Sequence, residues 1–150
     1  MKELKRILLA EDNPNDIELT LEALGDYNLA NEVVVARDGA EALDFLYRRG
    51  DYKMRAEGNP AVILLDLKMP KVDGLEVLKQ VKSDENLKTI PVVVLTSSHE
   101  ERDLVESYRL GTNAYVVKPV DFKDFVSAIK DLGAFWAILN EPPAGSLRKK

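Results

Sequence analysis

The chain has 150 residues, 45% of them hydrophobic and 31% charged, with 21 basic against 26 acidic side chains and a net charge of −5. A chain of that length predicts one domain that buries roughly 70% of its unfolded surface, so folding requires neither disulfides nor a structural metal. Cysteine is absent, which excludes thiolate zinc centres and cysteine nucleophiles and fits a reducing, cytoplasmic setting. The single histidine, His99, leaves no material for a multi-histidine metal centre, and any Ser/His/Asp triad would have to be built around it. No apolar run approaches the ~20 residues of a membrane span. The basic start (Lys2, Lys5, Arg6) meets Glu11 and Asp12 before a leader core could form, and the acidic balance argues against a direct nucleic-acid binder.

In chain order, short apolar runs rich in Val, Ile and Leu occupy residues 6–10, 32–36, 61–65, 91–95 and 114–117. Their lack of alternation predicts strands covered on both faces of a parallel sheet. Helical patterns lie between them. Pro14 opens the first, whose face carries Ile17, Leu21 and Leu24, and Gly25 closes it. Asp38 with Glu41 and Asp73 with Glu76 form acidic variants of the capping box and start the second and third. The fourth is expected from Ser98 to just before Gly111, which puts His99 in its first turn as an exposed side chain. The fifth is expected from Asp121 to about Asn140. Such a helix is about 30 Å long and overhangs a five-residue strand of about 17 Å. Its apolar stripe of Phe125, Ile129, Leu132, Trp136 and Leu139 is widened by Phe135 and Ile138, which predicts that the overhang is covered, by its own domain or by a second copy, with self-association favoured.

Five alternations of strand and helix predict a flavodoxin-like, three-layer α/β domain, a doubly wound five-stranded parallel sheet of order 2-1-3-4-5. We expect residues 1–140 to form this domain and 141–150, with the basic Arg148 to Lys150, a frayed and solvated tail. The polar stretch 48–60 is longer than the scheme requires and is expected to cover one edge of the domain.

In such sheets ligands bind beyond the carboxyl ends of the strands, where the order reverses. The first strand ends in Glu11 and Asp12, the third in Asp66, the fourth in Thr96 and Ser97, and the fifth in Lys118 and Pro119. In the order 2-1-3-4-5 three carboxylates converge there; they must raise a pKa or bind a cation, and an all-oxygen set suits Mg²⁺. With Lys118 as a fixed positive charge and Thr96 as a hydroxyl donor, the group could hold three oxygens of a phosphoryl group.

The segments LLAEDNP, VILLDLKMPKVDG, VVVLTSS and AYVVKP, in that order and spacing, resemble the receiver domain of two-component response regulators over about the first 130 residues. The resemblance implies Asp66 as phosphoryl acceptor, Asp12 as a direct Mg²⁺ ligand, Glu11 acting through bound water, and the backbone carbonyl of Lys68 as a further ligand. It implies that Thr96 and Lys118 grip the phosphoryl oxygens, that Tyr115 turns inward as a switch, and that the Lys118-Pro119 bond is cis. It also implies a histidine kinase as donor, a downstream protein target, and a homodimer through the face of the fourth helix, fifth strand and fifth helix. The long last helix with Phe135-Trp136 and the extra loop are similar to stand-alone receivers paired with phytochrome-type kinases.

Taken singly, each residue has a plainer reading. Asp66 could be a loop solvator, Glu11 and Asp12 helix caps, Thr96 a strand-end hydroxyl, Lys118 a solvated charge, and Tyr115 packing. Two rivals follow from the same residues: an Asp-nucleophile phosphotransferase or phosphatase acting on an external substrate, and a degenerate receiver serving as a binding scaffold. The first needs an acid–base Asp two residues after the nucleophile, where this chain has Lys68. The second is opposed by the presence of all five polar positions.

Overall fold

The apolar runs form β1 (Ile7–Ala10), β2 (Val33–Ala36), β3 (Val62–Leu65), β4 (Val92–Thr96) and β5 (Ala114–Val117) in the computed structural model, which describes residues 5–27, 29, 32–143 and 146. Between and after them lie α1 (Pro14–Gly25), α2 (Gly39–Tyr47), α3 (Gly74–Ser83), α4 (Glu101–Leu110) and α5 (Phe122–Gly133). The sheet runs β2-β1-β3-β4-β5 with every pairing parallel, as the alternation predicts. Successive strand residues point to opposite faces, so two separate cores form. Leu8, Ala10, Ile63 and Leu65 meet α2 and α3 on one face, while Ile7, Leu9, Val62 and Leu64 meet α1 and α5 on the other.

Coverage on both faces holds only for the three central strands. β1, β3 and β4 are buried throughout, whereas β2 and β5 are mostly half-buried, because each edge strand has one neighbour and the helix layers taper there. The helix starts follow their caps. Asn13, rather than Glu11 or Asp12, caps α1, its Oδ1 accepting from the amides of Asn15 (2.9 Å) and Asp16 (3.2 Å). Asp38 accepts from Glu41 N at 2.7 Å and Asp73 from Glu76 N at 2.9 Å, as expected.

Three expectations are corrected. Helix α4 starts at Glu101, not at Ser98, because the Ser98 hydroxyl is diverted to donate to Asp103 Oδ2 at 2.6 Å and leaves the segment before Glu101 as a loop containing an exposed His99. The Lys118-Pro119 bond is trans, the isomer an X–Pro bond favours by roughly 0.5–1 kcal/mol when nothing opposes it. The tail is not wholly frayed: Pro142 is buried and Ser146 bridges to Asn59, while the basic finish at Arg148 to Lys150 lies outside the described residues.

Beyond Gly133 the helix continues as a π-helical segment, Ala134–Leu139. Its close approach to α1 depends on Gly133, where a Cβ would fall 2.3 Å from Leu24 Cδ2. Ala137 is fully buried and Trp136 packs partly against the α1/α5 core, so the overhang covers its own domain, while Phe135 and Leu139 face outward. The buried Lys5 ammonium donates to the carbonyls of Asn140 (2.8 Å) and Ile138 (3.4 Å), fastening the helix end beside the start of β1.

The 48–60 stretch folds onto α2. Arg55 lies 4.2 Å over the Phe45 ring, and its guanidinium donates to the carbonyls of Phe45 (2.8 Å), Ala56 (2.6 Å) and Gly58 (2.9 Å). Tyr52 packs edge-on against the same ring and donates to Glu41 Oε2 at 2.6 Å. Arg55→Ala is expected to lower unfolding free energy by about 2 kcal/mol in urea titrations, since several carbonyls lose a charged donor together with a ring contact.

Candidate functional site

Parallel register brings the strand ends level. Ala10 pairs with Leu65, so Glu11 and Asp12 leave β1 beside Asp66 leaving β3, and the Asp66 amide donates to the Ala10 carbonyl at 3.0 Å. Thr96 pairs with Val117, and the next amide, Lys118 N, donates to the Thr96 carbonyl at 2.7 Å. Gly74 lets α3 start against this loop: a Cβ there would lie 2.2 Å from the Asp66 carbonyl oxygen. Lys71, in the same loop, holds a left-handed φ of 65° that a non-glycine residue adopts at some strain.

The carboxylate oxygens of Glu11, Asp12 and Asp66 lie within 4.8 Å of one another. Glu11 and Asp66 are buried, at 2% and 6% exposure, whereas Asp12 is open to solvent. Lys118 Nζ lies among them, 2.6 Å from Glu11 Oε1, 3.3 Å from Asp66 Oδ2 and 2.7 Å from Asp16 Oδ2. Burial, helped by the negative charge of Asp66 and opposed by Lys118, pushes the Glu11 carboxyl up to about 7. Burial alone would lower the Lys118 ammonium, but hydrogen bonds to Asp16 and Glu11 and the charge of Asp66 outweigh it and hold Lys118 above its ordinary value.

The remaining expected residues lie on β4, on β5 and in the loop after β3. Thr96 is fully buried, and its hydroxyl accepts from the Ser98 amide at 3.3 Å. Tyr115 Oη donates to the Ser98 carbonyl at 2.9 Å, and burial raises its phenol above the usual range. The Lys68 amide lies 3.4 Å from Asp66 Oδ1, and its side chain reaches Asp103 Oδ2 at 3.7 Å. Three contributors carry no site signal in the sequence. Asp16 reads there as an ordinary first-turn acid of α1, Asp103 as a surface acid of α4, and Ser98 as a helix cap, yet Ser98 joins Thr96, Asp103 and Tyr115.

All-oxygen donors, two of them buried and only partly offset by one ammonium, fit a hard divalent cation. The arrangement is that of a doubly wound α/β domain with an acidic pocket at its topological switch point. The response regulator receiver domain family matches residues 7–130, so the chain belongs to that family, whose members are signalling switches of two-component systems. Response regulator Rcp1 of Synechocystis sp. is 42% identical over 132 residues, 88% of each chain. The Mn²⁺-bound crystal structure of Rcp1 superposes with a TM-score of 0.87 at 41% identity, covering 93% of this chain and 99% of the other. The phosphorylated cyanobacterial phytochrome response regulator RcpA has a TM-score of 0.84 at 42% identity, covering 91% and 99%. The bacteriophytochrome response regulator RtBRR is 68% identical with a TM-score of 0.74, covering 95% and 86%.

Lys118→Met removes the ammonium that the buried Glu11 and Asp66 share. We expect a loss of about 3 kcal/mol in chelator-treated protein, where two buried carboxylates lose their partner, and a partial recovery on adding a divalent cation, read by thermal melting.

Proposed function

We propose that Asp66 accepts a phosphoryl group from the phosphohistidine of a partner histidine kinase, with Mg²⁺ as the bound cation, and that the new charge reshapes the face of α4, β5 and α5. The convergence of Glu11, Asp12 and Asp66 around Lys118 carries this reading. Asp12, Asp66 and the Lys68 carbonyl would hold the cation directly and Glu11 through water. When bound, the cation neutralises part of the acidic charge and polarises the phosphoryl group.

An Asp66 carboxylate oxygen attacks phosphorus in line with the P–N bond. That bond breaks, its electron pair stays on the imidazole nitrogen, and the ring leaves neutral because its other nitrogen carries a proton. Lys118 donates to one phosphoryl oxygen and Thr96 to another. To turn, Thr96 gives up the Ser98 amide. This loosens the loop that Tyr115 holds by its carbonyl and that α4 holds through Asp103, and it lets Tyr115 move inward.

The affected face exposes Leu104, Val105, Tyr108, Val117, Val120 and Phe122, an apolar surface suited to a downstream protein or, extended by Phe135, to a second copy. Trp136 contributes less there because it packs partly on its own core. RcpA is a cyanobacterial phytochrome response regulator and RtBRR a bacteriophytochrome response regulator, and their similarity to this chain supports a phytochrome-type kinase as donor here. Residues 1–140 would act as the receiver and 141–150 as a tail. No helix among the described residues is long and apolar enough to cross a membrane, and we place the exchange in the cytoplasm. Lys68, in place of an acid–base carboxylate, disfavours turnover of external phosphoesters.

Asp66→Asn is expected to abolish labelling by radioactive acetyl phosphate or phosphohistidine donor; an acid-stable label surviving elsewhere overturns the assignment. Asp12→Ala should weaken Mg²⁺ binding at least about tenfold more than Glu11→Ala in calorimetric titrations, and equal losses would refute the direct and water-mediated division.

A further inference from the structure

Lys118 has three ammonium protons and three carboxylate partners, so every donor is engaged. A phosphoryl oxygen arriving on Asp66 must therefore displace one partner. The three differ in what release would cost. Glu11 is 2% exposed and would be left buried without its cation, a costly state. The Asp66 contact, the longest at 3.3 Å, passes to the phosphoryl oxygens as that carboxylate is phosphorylated, so any second donor the dianion takes must come from Glu11 or Asp16. The Asp16 side chain is 23% exposed and can take up water when released, and among the described residues it is outside the cluster of Glu11, Asp12 and Asp66. Asp16 also sits in the first turn of α1, where the helix N-terminus stabilises a free carboxylate.

We propose that Asp16 is a positioning residue for phosphoryl transfer: it holds the Lys118 ammonium in the unmodified protein and competes for it with the phosphoryl group. The proposal rests on Asp66 being the acceptor. Asp16 anchors Lys118 from α1, whereas the other two partners hold it from the ends of β1 and β3. The carboxylate opposes the modified state twice, once by occupying a donor and once by placing a negative charge beside an incoming dianion. It sets the balance between the two states without touching the transferred group.

The test is calorimetric titration of the full chain with beryllofluoride, a phosphoryl mimic that attaches to a carboxylate without turnover, at saturating Mg²⁺. Asp16→Asn keeps the shape and removes the charge, and it should bind beryllofluoride roughly three- to fivefold more tightly than wild type, the upper end of the range for an exposed ion pair. Asp16→Ser, a second charge-removing variant that suits the first helical turn, should shift in the same direction. Asp16→Glu keeps the charge and should stay within about twofold of wild type. Unchanged affinity in the Asn and Ser variants, or equal tightening in the Glu variant, overturns the role of Asp16 while leaving the acceptor intact. Absence of beryllofluoride binding by the wild-type chain, or undiminished binding by Asp66→Asn, instead overturns the reading of Asp66 and this proposal with it.

Discussion

One ammonium shared among three carboxylates is the constraint on which the rest of the site depends. Glu11 and Asp66 are taken out of water by the sheet register, which fixes the ends of β1 and β3 side by side. Two buried like charges that close would repel strongly, and Lys118, delivered from β5 across β4, is the counter-charge that makes the cluster tolerable. The Glu11 carboxyl is held up mainly by burial and secondarily by the Asp66 charge, and Lys118 offsets only part of this; by formal charge, one ammonium faces three carboxylates. A site left short of positive charge has affinity for a divalent cation, and the same deficit makes its geometry sensitive to any group that changes the local charge.

In the proposed switch, that sensitivity would reach the surface through Ser98. Its amide, carbonyl and hydroxyl are each engaged by a different element: Thr96 at the end of β4, Tyr115 on β5 and Asp103 on α4. A residue fastened at three points cannot follow one partner without straining the others. In the proposed switch, motion of Thr96 would therefore be felt at α4 and β5 together.

The sheet was legible because burial on both faces demands unbroken apolar runs, and the helix starts at Asp38 and Asp73 because caps are local chemistry. Glu11, Asp12, Asp66, Thr96 and Lys118 stand out in the sequence because each ends or closely follows a strand, and strand ends share an edge whatever the intervening sequence. The failures have equally specific causes. Ser98 was misread as a cap because its true partner, Asp103, is chosen by loop geometry. Asp16 went unmarked because an acid in a first helical turn is ordinary; only the distance to Lys118, 102 positions away, gives it meaning. An α-helical period predicts the α5 stripe, but the wider π-helical turn after Gly133 rephases it, leaving Ala137 inside and Leu139 outside.

The link from Lys5 to the Asn140 carbonyl ties the beginning of β1 to the finish of the last helix. Both therefore emerge on the rim opposite the strand ends that hold the acidic pocket. A polypeptide fused at either position leaves from the far side of the molecule, so cargo can be added there without obstructing access to the acidic pocket.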